Sequence, residues 1–242
     1  MNDLDLLELE METGLVMVAP HRFVRVNSPG EAHGPLIALA GCAAGNVAAA
    51  HADLDDALAR EVFDFVADAP VWGDGAARPP WIAALAAIVG VEPATLAGGP
   101  SWLLPNGLAC AHPARIVAGE SDEGAAMLAR FAARGMPPAL VEAGYVDVGE
   151  LWAPWCAAMA GEEIAALCIA ARLGDRGAEA GLYTFAPYRG QGFGAAVTAG
   201  WSRLPSLAAK ALFYSTQWTN TSSIAVTRRL GLRRIGASVG IG

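Results

Sequence analysis

The chain lacks most of the short signals that would announce a chemistry. Cys42, Cys110, Cys156 and Cys168 include no C-x-x-C pair. That spacing excludes a zinc ribbon or a dithiol redox motif and suits ordinary buried thiols of a reducing compartment. His21, His33, His51 and His112 include no H-x-x-x-H pair, so no metal is expected. There is no Gly-x-Ser-x-Gly elbow, which argues against a serine hydrolase. Basic residues are scarce: 16 against 24 acids give a formal charge of −8, unsuited to nonspecific nucleic-acid binding. Met1 to Glu12 is acidic and lacks the basic start of a secretory leader. The longest apolar run, Leu36 to Ala50, is broken by Gly41, Gly45 and Asn46 and is too short to span a bilayer. A cytoplasmic protein with neither membrane nor nucleic-acid partner is expected. Neither an internal repeat nor a low-complexity run is visible.

Of the 242 residues 54% are hydrophobic, enough for one large core or two smaller ones. In the first half, Val16 to Val26 reads as a strand and Asn27-Ser28-Pro29-Gly30 as a turn. Pro35 to Ala40 reads as a buried strand. Asp53 looks like a helix N-cap, ahead of Leu54, Leu58, Val62, Phe65 and Val66 on one helical face. A helix is expected over Trp81 to Val89. Ala97-Gly98-Gly99-Pro100 reads as a break, followed by a strand over Ser101 to Leu104. These elements make a small α/β unit, residues 1–112, of unclear role.

The second half, residues 113–242, has a sharper pattern. Strands are expected over Ala114 to Ala118 and, as a hairpin, over Trp155 to Ala160 and Ile164 to Ala171. Asp122 to Arg134 reads as a helix stopped by Gly135. A strand over Glu179 to Phe185 then leads into Arg189-Gly190-Gln191-Gly192-Phe193-Gly194, at the start of a helix from Phe193 to Leu204. Glycines at alternate positions let backbone N–H groups converge, and the helix start adds its unpaired N–H groups and its positive dipole end. That is an anion site, most often one for phosphate. A nucleoside-triphosphate P-loop would need Gly-Lys-Ser/Thr, but Ala195 and Ala196 follow Gly194. A dinucleotide fingerprint would need an acid some 20 positions on, and no Asp or Glu follows Glu179. Residues 180–242 carry seven basic side chains and no acid, a split suited to an anionic cofactor on one side and a cationic substrate on the other.

Arg189, Gly192 and Gly194 match Arg/Gln-x-x-Gly-x-Gly/Ala, the signature of the GNAT superfamily of acyl-CoA N-acyltransferases. Ala178 to Thr184 resembles the strand before that loop, and Pro187-Tyr188 its proline-aromatic lead-in, with the proline one place late. Phe213 to Asn220, Ser223 and Leu230-Gly231-Leu232 resemble the next strand, its loop and the Leu-Gly-Phe-like turn. The likeness covers roughly 113–242 and is specific over 178–232. It implies a β-α-β-β-β-α-β-α-β order, hence an α/β (α+β mixed-sheet) GNAT fold behind the N-terminal α/β unit. That unit would cap the acceptor site or be a degenerate second copy of the fold.

The resemblance implies acetyl-CoA as acyl donor, with no metal. The N–H groups of Gly190, Gln191, Gly192, Phe193, Gly194 and Ala195 would hold the pyrophosphate, with Arg189 adding charge or fixing the loop. Thr184, Phe185 and Ala186 would offer a strand edge to pantetheine. Asn220 and Ser223 would stand across the cofactor, Asn220 serving equally well as a helix cap. An amine acceptor, a small molecule or a peptide, arrives protonated and must lose a proton before attack. Glu179 is the candidate base, with Glu142, Glu150 or Glu162 acting through water as alternatives. A backbone N–H of residues 184–186 would stabilise the oxyanion. The family's thiolate-protonating tyrosine falls at Thr227 here, a much poorer acid. A non-catalytic acyl-CoA-binding protein is therefore the alternative, with a dimerising module a distant third. The oligomeric state is open, a homodimer included.

Overall fold

Asn2 opens the first helix, α1 (Asp3–Gly14), through a reciprocal capping box with Asp5. Sequence reading saw only acidity there. The apolar stripe is short, with Leu6, Leu7, Leu9 and Thr13 as its buried residues. The computed structural model describes residues 1–28, 30, 32–92 and 96–242; Pro29 of the expected turn lies outside them.

Val16 to Val26 is two antiparallel strands rather than one, β1 (Leu15–Ala19) and β2 (Arg22–Val26). His21, at φ 58°, makes the tight reversal between them. The apolar run that follows is the hairpin β3 (Ile37–Cys42) and β4 (Gly45–His51). The next helix, α2 (Asp56–Asp68), is capped by Asp55 and not by Asp53. α3 (Ile82–Ile88) falls where expected. β5 (Ala97–Leu104) includes the Gly98-Gly99 pair read as a break. A side chain at Gly98 would strike the Ser238 carbonyl and one at Gly99 the Thr216 carbonyl, at 2.2 and 1.7 Å. Those glycines admit neighbouring backbone into a strand interior.

The second half runs β6 (Arg115–Ala118), α4 (Asp122–Arg134), α5 (Pro138–Glu142), β7 (Cys156–Ala160), β8 (Glu163–Leu173) and β9 (Gly177–Thr184). It continues with α6 (Phe193–Trp201), β10 (Ala211–Ser215), α7 (Thr221–Arg229) and β11 (Arg233–Ile241). With α5 as the one addition, this is the order expected of a GNAT sheet. All eleven strands of the described residues form one mixed sheet, ordered β1-β2-β4-β3-β11-β5-β10-β9-β8-β7-β6. The division at 112/113 does not divide the sheet, because β5, from before it, lies antiparallel between β10 and β11, from after it.

Side chains alternate between the two faces. Trp102 and Leu104 of β5 pack with Val197 and Trp201 of α6, whereas Leu103 joins Leu6 and Leu7 of α1. Ile37, Leu39 and Val239 meet Val62 of α2 and Leu85 of α3 on the α6 side. Val117, Leu167 and Ile169 meet Met127 and Phe131 of α4 on the α1 side. The consequential irregularity is between β9 and β10. They pair in parallel at Ala211↔Gly177, Leu212↔Ala178 and Phe213↔Glu179 and no further. β9 stays paired with β8 out to Thr184, and β10 with β5 out to Ser215. A wedge opens between them, closed at its base by Glu179.

Candidate active site

The wedge continues on the α6 side into a cleft of about 590 Å³. Leu182, Tyr183 and Thr184 line it from β9, Gly190, Gly192, Gly194 and Ala195 from the glycine loop, and Asn220, Ser223 and Arg229 from the α7 segment. Gly192 caps α6 in the left-handed region, at φ 98°, and no side chain caps the helix. The first main-chain bond at this end runs from Ala196 N to the Gly192 carbonyl, 3.1 Å. The N–H groups of Phe193, Gly194 and Ala195 thus find no acceptor within the helix. A Cβ on Gly192 would lie 2.9 Å from the Arg229 guanidinium. Helix start, bare backbone and a guanidinium therefore converge on one point.

Arg189 is on the cleft wall and its Nε donates to the Thr184 carbonyl, 3.1 Å, tying loop to strand. Gln191 donates to the Pro187 carbonyl, 2.8 Å, and Phe193 packs edge-on against His112 and Tyr188. Those two side chains brace the loop and do not line the cleft. Asn220 is the cap of α7, its Oδ1 accepting from Ser223 N, 3.0 Å, and it also lines the cleft. The Ser223 hydroxyl lies 2.6 Å from the Tyr214 hydroxyl, whose pKa burial pushes up to about 12.

Two expected edge residues are displaced. Phe185 is buried; its N–H donates to the Ala165 carbonyl, 3.0 Å, and its carbonyl accepts from Tyr188 N, 2.9 Å. Ala186 begins a 3₁₀ turn, and its carbonyl accepts from Arg189 N. The open edge of β9 thus lies at 182–184 instead of 184–186. Thr227 is buried and its hydroxyl donates to the Ile224 carbonyl, 2.9 Å, so it does not face the cleft. Arg229 was missed by the sequence reading. Its signal was helical spacing, because Ser222, Ala225, Val226 and Arg229 form the cleft-facing stripe of α7.

Glu179 faces away from the cleft, towards α1. Its Oε1 accepts a hydrogen bond from the Ser215 hydroxyl on β10. Glu162 stands on the β7–β8 turn beside Arg115, and Glu150 caps its own short turn, accepting from Asp147 N at 3.2 Å. Neither they nor Glu142 line the cleft. Among the described residues no group of His, Cys, Asp and Glu could hold a metal, and no helix is long and apolar enough to cross a membrane.

A scan against protein-family models finds no match, and a search of curated proteins finds none either. Solved structures do match in chain path. A GNAT-family protein from Novosphingobium aromaticivorans is 19% identical over 69% of this chain and 70% of its own, with a TM-score of 0.40. A GNAT-family acetyltransferase from Colwellia psychrerythraea is 17% identical over 66% of this chain and 60% of its own, with a TM-score of 0.43. A GCN5-related N-acetyltransferase from Kribbella flavida is 16% identical over 66% and 62%, also at 0.43. The matched region is under two thirds of the length of the last two. At such identities and scores the likeness says nothing about chemistry.

Proposed function

We propose that the cleft binds acyl-CoA and that the protein transfers its acyl group, in the first instance acetyl, to an amine. The observation that carries this reading is the uncapped, left-handed start of α6 facing the Arg229 guanidinium beside an unpaired strand edge. The first part suits a pyrophosphate; the second suits pantetheine, whose amides can pair with a β-strand edge. Leu182 to Thr184 would carry that pairing, leading the thioester into the wedge. Glu179, at the wedge's base, is then the residue nearest in the chain path to take a proton from the attacking amine. The acceptor is a small molecule or a peptide.

A second reading, an acyl-CoA binder without turnover, draws on Thr227, whose buried and engaged hydroxyl offers the leaving thiolate no acid. A thiol of pKa about 8.5 can nonetheless leave as thiolate, which keeps transfer the better reading. Calorimetry with CoA, followed by thiol release from acetyl-CoA over a set of amines, tests both. Binding with thiol release supports transfer, binding without release on any amine supports the second reading, and no binding defeats both.

A further inference from the structure

A separate cavity, of about 180 Å³, lies on the α1 side of the wedge. Its charged lining is Glu10 of α1, Glu179 of β9 and Arg172 of β8; Ser215 of β10 and Ser238 of β11 add hydroxyls. Leu7 and Met11 supply apolar wall. Strands and a helix drawn from both halves of the chain thus meet around two carboxylates.

Glu10 is unusual within this group. It follows Leu6 by four positions and Leu7 by three, so it belongs to the stripe that α1 turns inward. Its Oε1 is shielded from solvent and makes no hydrogen bond of normal geometry; the Ser101 hydroxyl, opposite Ser215 in the sheet, is the nearest donor and has no other partner. Glu179 already accepts from Ser215. Arg172 donates through Nη1 to the Ala171 carbonyl, 2.6 Å, and makes no ion pair with either carboxylate. Burial above all, and then the charge of Glu179, pushes the Glu10 carboxyl up to about 8, with Ser101 opposing. A buried acceptor oxygen left open beside a second carboxylate is complementary to a donor-rich cation.

We infer that this cavity is the acceptor site and takes a primary ammonium group between Glu10 and Glu179, with Glu10 as the second member of the proton-accepting pair. This rests on the acyltransferase reading. An ammonium brings three N–H donors and no acceptor, matching carboxylate oxygens and hydroxyls. The cavity's size admits the amine and a few carbons. Glu179 terminates the β9–β10 pairing, so a thioester entering the wedge from the α6 side meets the nitrogen at that point. Binding expels the proton held by Glu10 to solvent. The bound ammonium then gives one proton to the carboxylate pair, and its lone pair forms the N–C bond at the thioester carbonyl. The C–S bond breaks, and the second nitrogen proton leaves with sulfur as the thiol.

The test begins on wild-type protein without CoA, labelled with ¹³C at glutamate side chains. The Glu10 carboxyl is titrated with pH in n-butylammonium chloride and, separately, in sodium butyrate. Glu10→Gln assigns the resonance. The expected result is a downward shift of the Glu10 titration with butylammonium only, together with proton release measured calorimetrically in two buffers. In turnover, Glu10→Gln should lower kcat/KM for amines about 100-fold while CoA affinity is retained. A Glu10 titration indifferent to butylammonium overturns the inference, as does normal amine kinetics in Glu10→Gln. If wild type fails to bind CoA but butylammonium still moves Glu10, the cation site stands and the acyltransferase reading falls.

Discussion

The two sides of the β9–β10 wedge are built on opposite principles. On the α6 side, binding groups are mostly main chain, delivered by one continuous stretch from Leu182 to Ala195 and supplemented from α7. On the α1 side, the charged groups are side chains from separate elements, and Glu10 and Glu179 are 169 positions apart in sequence. Main-chain sites tolerate side-chain change and are sensitive to backbone geometry. Side-chain sites have the reverse sensitivity, because removing one member strands its neighbours. On the proposed reading, one protein holds a general anion cradle and a particular acceptor pocket on the two sides of one wedge.

The sharpest way to break this contrast is on the α1 side. Glu179→Gln should lower kcat by at least about 100-fold at neutral pH with CoA affinity intact. Much of the loss should return as pH approaches the acceptor's own pKa, where free amine is abundant. Near-normal turnover in steady-state assays at neutral pH would leave Glu179 a mere partner of Ser215.

The next effect is on stability. Glu10 titrates near 8 in the folded protein against 4.5 for the free group. Its contribution is therefore fully present below about 4.5 and is lost as pH rises through about 8, a change on the order of a few kcal/mol. Glu10→Gln should flatten that dependence, so that the variant gains on wild type towards pH 8. Urea melts across that window give the answer, and parallel curves for the two proteins would contradict it.

On the α6 side, Gly192→Glu puts a Cβ-bearing residue at φ 98° and a negative group where the anion should lie. CoA affinity should drop at least about tenfold, near 1.4 kcal/mol. Arg229→Ala, which leaves the backbone alone, should cost somewhat less. Calorimetry that shows both variants binding as wild type does would remove the cradle. The smallest effect belongs to Thr227→Val. The hydroxyl bonds only its own helix, so kcat should change by less than about threefold, and melting should report the loss of one hydrogen bond, about 1 kcal/mol. A large fall in kcat would restore an acid role to Thr227.

The sequence by itself determined what depends on neighbours in the chain. The helix over Asp122 to Arg134 with its Gly135 stop, the β7–β8 hairpin, and the glycine loop at the head of α6 follow from period, capping and turn chemistry. Gly192 at the head of α6 and Asn220 as the cap of α7 were legible for the same reason. Only the tertiary structure decided what depends on partners distant in sequence. It put β5 between β10 and β11, a placement that makes Gly98-Gly99 strand instead of break. It moved the free edge of β9 to 182–184, because β8 holds Phe185. It turned an acidic N-terminus into a helix whose half-buried Glu10 feels the charge of Glu179. No local pattern can show such a pairing, since a carboxylate's burial and charge neighbours are fixed by packing and not by the residues beside it in the chain.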